Sequence, residues 1–190
     1  MLFSINMNLQ QLQTNLLSLI KLRQTDADMT DNYLKNVSVS DNIKFVRKNA
    51  LWWRIIQIEK YCPLTSGLLK ASEKFEIEII NFFKESNYSA FREEVGIQFL
   101  EFITAKNLNT LQQCVSEFEL ALIQLKTGKP IIYKKQWTFD PYPIIGSLLQ
   151  NSFSADNLKS GFFEVSVSYK KKEELFSVRE IKSNKKIAQI

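Results

Sequence analysis

The chain contains no histidine, and that absence removes more chemistry than any residue present suggests. Histidine is the commonest proton carrier near neutral pH and the commonest transition-metal ligand. Without it, a Ser-His-Asp or Cys-His nucleophile system is excluded. Cysteine is almost as scarce: Cys62 and Cys114 are the only two. They make neither a disulfide framework nor, with scattered carboxylates, a convincing zinc site. Both read as reduced core residues, which suits a cytoplasmic protein. With five glycines in all, the chain has no phosphate-cradling G-x-G-x-x-G or G-x-x-x-x-G-K-[ST] loop and no G-x-S-x-G elbow. No apolar run reaches about 18 residues, so no membrane-spanning helix is expected. The first residues lack a basic stretch followed by an apolar core, so no secretory signal is expected either. Carboxylate-only chemistry survives this elimination, for example at Glu93 and Glu94 beside Arg92. Those residues read better as the solvated start of a helix.

What is present is a 190-residue chain, 45% apolar and 24% charged, the composition of a folded soluble protein. The length suits one ordinary domain, or one with a small appendage. The net charge of +5 is lopsided. Residues 1–128 balance 14 Lys and Arg against 14 Asp and Glu, whereas residues 129–190 carry 11 against 6. The C-terminal third is therefore either an ordinary surface with a basic tail or a positive face for an acidic peptide, an acidic protein or nucleic acid.

Hydrophobic period divides the chain. Ser4 is placed to cap a helix reaching about Arg23, with Leu9, Leu12, Leu16, Leu19 and Ile20 on one stripe, so residues 1–24 read as an N-terminal helix. Residues 25–40 are polar and read as a linker or long loop, with one turn near Tyr33 and Leu34. Residues 41–128 read as a helical domain. Asp41 opens a helix carrying Phe45, Trp52, Ile55 and Ile56 to one side and ending near Cys62-Pro63. Pro63 starts a short helix that buries Leu64, Leu68 and Leu69. Ser72 precedes a stripe of Phe75, Ile79, Phe82 and Phe83, and Ser89 one of Phe91, Val95, Phe99, Phe102 and Ile103. Asn107 precedes the cleanest, Leu108, Leu111, Val115, Phe118, Leu122 and Leu125, which stops at Thr127-Gly128. Beyond that the period becomes two. Residues 130–139 are β-branched and aromatic, Asp140-Pro-Tyr-Pro143 breaks them, and residues 144–149 make a turn or two of helix. A hairpin follows at about 162–181, so residues 129–190 form a basic β-rich domain. A lone hairpin is marginal and needs the 130–139 strand or the helices as a partner. The class is α+β, a helical bundle followed by a small antiparallel sheet.

Four motifs in order resemble one helical family. Phe45-Val-Arg-Lys-Asn49 is followed by Tyr61-Cys-Pro-Leu-Thr65 with Leu68-Leu69, then by Gly96 with Phe99 and Phe102, then by Glu117-Phe118. The pattern is similar to the N-terminal domain of HvfC-type proteins over residues 41–125. The Pro141-Tyr-Pro-Ile144 segment and the hairpin resemble, more loosely, that family's small β domain. The resemblance implies a companion subunit of TIM-barrel enzymes with multinuclear iron centres, which oxidise cysteines in ribosomally made precursor peptides, as in the methanobactin and 3-thiaglutamate pathways. Such a companion engages the leader peptide as part of a heterodimer. It needs no cofactor of its own, since the iron lies in the partner enzyme. The lysine- and asparagine-rich wording and the extra N-terminal helix depart from the family and leave the pathway open.

The residues agree with a non-catalytic role of this kind. Phe163, Val165, Val167 and Tyr169, with Phe176 and Val178, alternate around a hairpin whose open edge offers backbone groups to an extended peptide. Their alternative use is packing on the helices. Lys170, Lys171 and Lys172 flank the hairpin as a basic patch. Arg47 and Asn49 either anchor a loop or helix terminus inside the domain or meet the partner enzyme. Trp52 and Trp53 point about 100° apart on a helix, so one is expected in the core and the other is free as an interface anchor. A nucleic-acid-binding regulator is the competing reading. Glu173, Glu174 and Glu180 interleave the basic residues and no recognition-helix pattern is visible, which argues against it.

Overall fold

The computed structural model describes residues 8–23, 30–86, 92–106, 109–129, 131–168 and 175–181. Among the described residues the chain is α+β. The helices are α1 (Leu9–Ile20), α2 (Asn32–Val39), α3 (Asp41–Tyr61), α4 (Pro63–Ala71), α5 (Phe75–Glu85), α6 (Arg92–Thr104), α7 (Thr110–Lys126) and α8 (Pro141–Leu149). The strands are β1 (Ile132–Phe139), β2 (Ser160–Ser168) and β3 (Phe176–Glu180). No described helix is long and apolar enough to cross a membrane. Two compact units form, residues 1–57 with 76–88 and residues 58–75 with 89–190.

In the first unit Asn8 caps α1, its side-chain oxygen accepting from the Gln11 N–H at 2.8 Å. The polar stretch expected as a linker holds a helix instead. Asp31 accepts from the N–H groups of Tyr33 and Leu34 at 2.8 and 3.1 Å and so nucleates α2. Leu34 then packs with Leu19 of α1, and Leu12, Leu16, Tyr33 and Val37 close around the pair. The stretch looked like loop because Asn32, Lys35 and Asn36 face solvent, leaving too few apolar residues to betray the period. Ser40, not Asp41, caps α3, accepting from the Ile43 N–H at 3.3 Å, while Asp41 pairs with Lys44 at 3.0 Å. Ile79, Phe82 and Phe83 of α5 are buried as their stripe requires.

The second unit is built on α7. Asn109 caps it through the Gln112 N–H at 2.9 Å, and Gly128, at φ +81°, ends it in the left-handed conformation that glycine alone adopts cheaply. Cys114, Val115, Phe118 and Ala121 of α7 share one core with Leu64 and Leu68 of α4, Ile144 and Leu148 of α8, and Trp137, Phe163, Val165 and Val167 of the sheet. A boundary was expected at residue 128, but the sheet and α7 belong to the same unit. The physical reason is area: three short strands cannot bury a face by themselves and take the helix as their second layer. The sheet order is β1-β2-β3, antiparallel throughout. The expected hairpin is β2–β3, with Val167 opposite Phe176 and Val165 opposite Val178, and its expected partner, the strand over 130–139, is β1. Asp140, Pro141 and Pro143 do not merely break β1. Asp140 caps α8 through the Tyr142 N–H at 3.2 Å, and the prolines occupy a first turn where no amide hydrogen is needed.

Ser72 was expected to start α5 but closes α4, its hydroxyl donating to the carbonyls of Leu68 and Leu69 at 3.0 and 3.1 Å. Cys62 is buried and donates to the Gly96 carbonyl at 3.4 Å. The α6 backbone comes so close there that a Cβ on Gly96 would stand 2.9 Å from the Tyr61 Cβ and 3.3 Å from the Cys62 Sγ. Gly96→Ala is therefore expected to destabilise the protein by about 1–3 kcal/mol through overpacking. Urea unfolding checks this, with a lowered midpoint and an unchanged slope as the expected result.

Candidate functional site

The hairpin determines which backbone groups face outward. Ile181 donates its N–H to the Phe162 carbonyl at 2.7 Å. Successive residues alternate, so residues 177, 179 and 181 bond to β2, while the N–H and C=O of Phe176, Val178 and Glu180 point away from the sheet. Among the described residues nothing bonds those groups. The other edge is different. The outward carbonyl of Gln136 on β1 accepts from the Cys114 thiol at 3.8 Å, and α7 lies alongside. β3 thus presents an open edge, whereas on β1 the Gln136 carbonyl is the outward group with a partner among the described residues.

The side chains beside that edge are mostly committed. Phe163, Val165 and Val167 are buried in the core, and Phe176 and Val178 pack against it. Phe118 holds them from below, with its ring edge-on to Phe176, Trp137 and Tyr133 at 5.2, 5.8 and 6.3 Å. Side-chain contact between a peptide and Phe163, Val165 or Val167 is therefore ruled out, because α7 already occupies their face of the sheet. The Tyr142 ring, exposed on α8, lies 6.1 Å from that of Phe176. It is an exposed aromatic surface beside that edge that the sequence did not single out. Tyr169 and the basic patch of Lys170, Lys171 and Lys172 lie outside the described residues, as do Ser4, Ser89, Phe91, Asn107, Leu108 and the side chains of Arg92 and Glu93. The basic surplus is partly neutralised where it is described: Lys134 pairs with Glu164 at 3.0 Å and Lys135 with Glu117 at 2.6 Å.

The remaining candidates lie on α3. Arg47 turns inward and donates from Nε to the Leu19 carbonyl at 2.7 Å, tying α3 to the last turn of α1. Arg23 does likewise for α5, donating to the carbonyls of Lys84 and Ser86. Both bind carbonyls in or just beyond the last turn of a helix. Asn49 is exposed. The expectation of one core tryptophan fails: Trp52 and Trp53 are both exposed, their rings edge-on at 5.1 Å. Phe45 is exposed with them, and Ile43 and Ile58 are buried instead. The helix carries apolar residues on both faces, so period alone could not choose between them, and the Arg47 bond to α1 decides it.

The structure adds one group that no motif pointed to. Glu119 is 4% exposed, and its two carboxylate oxygens accept from the N–H groups of Leu64 and Thr65 at 2.8 Å each. It caps α4, whose own N-cap residue, Cys62, makes no side-chain capping bond. Two signals were available: a helix opening with Cys-Pro and no capping oxygen, and a glutamate inside the stripe of Val115, Phe118 and Leu122. Burial raises the Glu119 carboxyl to about 7, the two amide donors holding it down only in part. Among the described residues no group of three or more His, Cys, Asp or Glu could hold a metal ion. No family model, no curated protein and no solved structure matches the chain.

The Glu119 shift has a definite sign. The folded state binds this proton more tightly than the unfolded chain, so the stabilisation is full below about pH 4.5 and is lost as pH rises through about 7. Each tenfold change in proton affinity is worth about 1.4 kcal/mol, which makes the loss about 3 kcal/mol. Glu119→Gln is expected to flatten this part of the stability–pH curve. Thermal unfolding of both proteins between pH 4.5 and 8 measures it, and equal slopes would show that Glu119 does not titrate there.

Proposed function

We propose that this chain is a non-catalytic companion subunit. It binds an extended precursor peptide by adding it as a strand to β3 and presents it to a multinuclear iron enzyme for cysteine oxidation. The observation that carries the reading is the open edge, where the backbone groups of Phe176, Val178 and Glu180 stand without partners among the described residues. An unpaired edge is a template for another chain, and native proteins commonly blunt it. A peptide added there makes main-chain hydrogen bonds first and draws specificity from pockets for alternate side chains. Phe176 and Tyr142 are the aromatic surface on which such side chains would rest. The iron is the enzyme's cofactor in this reading and supplies the oxidative chemistry. This chain's share is to hold the peptide's leader and limit its freedom. The nature of the enzyme and of the reaction rests on the resemblance of residues 41–125 to HvfC-type proteins.

The first test is coexpression with a candidate TIM-barrel iron subunit, followed by size-exclusion chromatography and metal analysis. A stable heterodimer with iron only when the second chain is present is the expected result. A monomer indifferent to that subunit overturns the reading. The strand-addition step is tested by Glu180→Pro, which deletes an outward N–H while leaving an exposed side-chain position and the bonds to β2 intact. Titration of the candidate precursor peptide should then show affinity lowered by about tenfold, the worth of one or two backbone hydrogen bonds. Unchanged affinity would place the peptide elsewhere.

A further inference from the structure

The side chains of β3 decide which strand fits the open edge, and this step rests on the strand-addition reading. Residues directly opposite on an antiparallel pair share one face, with Cβ atoms about 5 Å apart. A strand laid along β3 is therefore read side chain by side chain. Phe176, Val178 and Glu180 project to the face covered by α7, and Ser177 and Arg179 to the other. Phe176 and Val178 are half-buried rather than sealed, and the Tyr142 ring stands exposed 6.1 Å from that of Phe176. The positions opposite Phe176 and Val178 thus suit apolar side chains, and the position opposite Ser177 suits a small or β-branched one.

The last two residues of the strand add charge, one on each face. Arg179 is exposed and, among the described residues, unpaired. The acid opposite it on β2 is Glu164, whose carboxylate is bonded to Lys134 of β1 at 3.0 Å. Elsewhere on that face of the hairpin, Ser166 and Ser177 bond to each other at 2.9 Å. Glu180 is also exposed and unpaired among the described residues, with Phe163 opposite it. Charges on an edge strand deter indiscriminate pairing, and they deter it selectively. A basic residue opposite Arg179 or an acid opposite Glu180 is repelled, whereas the reverse pair is attracted. β2 meets the same strand from its inner side in a matching pattern, with Glu164 facing Arg179, Val165 facing Val178, Ser166 facing Ser177 and Val167 facing Phe176. A second copy of this chain matches less well. Paired about Val178, the arrangement that overlaps all five residues of β3, it would set Ser177 opposite Arg179 and Phe176 opposite Glu180 and answer neither charge.

We propose that β3 takes an antiparallel peptide segment whose residues run basic, acidic, apolar, small, apolar from its N-terminus, meeting Glu180, Arg179, Val178, Ser177 and Phe176 in turn. The direction follows the rest of the sheet, antiparallel pairing being the more stable per residue. Arg179 and Glu180 are then the specificity-determining residues, while the backbone groups of Phe176, Val178 and Glu180 supply the affinity. The probe is a labelled peptide with the core Lys-Glu-Val-Thr-Val between Gly-Ser flanks. A second peptide exchanges the lysine and the glutamate, so composition and net charge are equal. Fluorescence anisotropy with the full chain is expected to show the first bound at least about fivefold more tightly, by a margin that shrinks as salt rises. The double variant Arg179→Glu, Glu180→Arg is expected to invert the preference with its circular dichroism unchanged, since both side chains face solvent.

No binding of the first peptide, equal binding of the two, or a preference that the double variant leaves in place overturns the proposal. So does a concentration-dependent dimer that Glu180→Pro abolishes, which would make the occupant a second copy. Failure here and failure of the companion reading are distinguishable. Equal affinities that Glu180→Pro lowers alike remove the residue pattern and leave strand addition standing. The expected preference, inverted by the double variant, in a chain that forms no heterodimer with the iron subunit removes the companion reading alone.

Discussion

The packing of one face of α7 beneath the sheet is the contact on which the second unit depends. Phe118 is wholly buried, and the rings of Tyr133, Trp137 and Phe176, from both edge strands, meet it edge-on. The next residue, Glu119, leaves the same helix to cap α4. A single helix thus fixes the inner face of a three-stranded sheet and the start of its neighbouring helix. Neither would be stable alone: three short strands need a second layer, and α4, with no capping side chain of its own, would have two unsatisfied amides in a buried position.

That arrangement also explains why an edge can stay open. A strand whose inner side chains are held by a helix does not need a fourth strand to keep its place. β1 has its outward carbonyl at Gln136 met by Cys114, whereas β3 is anchored through Phe176 and Val178 and leaves alternate backbone groups free. Rigid anchoring on one side and free hydrogen-bonding capacity on the other is the combination that strand addition requires, because little ordering is left to be done when a peptide arrives. In the first unit, Arg23 and Arg47 play the corresponding structural part by tying the ends of α5 and α1.

Much of the local structure was legible in the residues. Leu64, Leu68 and Leu69 in α4, Phe75, Ile79, Phe82 and Phe83 in α5, and Val115 with Phe118 in α7 are buried as their spacing requires. The alternation around Phe163, Val165 and Val167 marked a hairpin and also its inner face. Legibility failed where a pattern was short or double. α2 has only eight residues, and its helix depends on Asp31 and on Leu19 of a different helix. α3 has an apolar line on each face, and the spacing was the same for the buried one and the exposed one. Of the candidate site residues, Arg47 was open to two readings, and its bond to Leu19 selects the structural one.

Outside α2, the sequence by itself determined where the chain is helical and where it is extended, because periods of 3.6 and 2 are properties of consecutive residues. It also determined that no histidine-based catalysis is possible, since a missing residue type is missing in every fold. Only the tertiary structure decided that the sheet and α7 share one unit, that Trp52 and Trp53 both face outward, that Glu119 closes a helix 54 and 55 residues away, and that β3 presents an open edge. Each of these depends on which surfaces meet across long stretches of chain. Local spacing says that a face will be buried, but the choice between two apolar faces, or between two strand edges, is made by the partner that arrives.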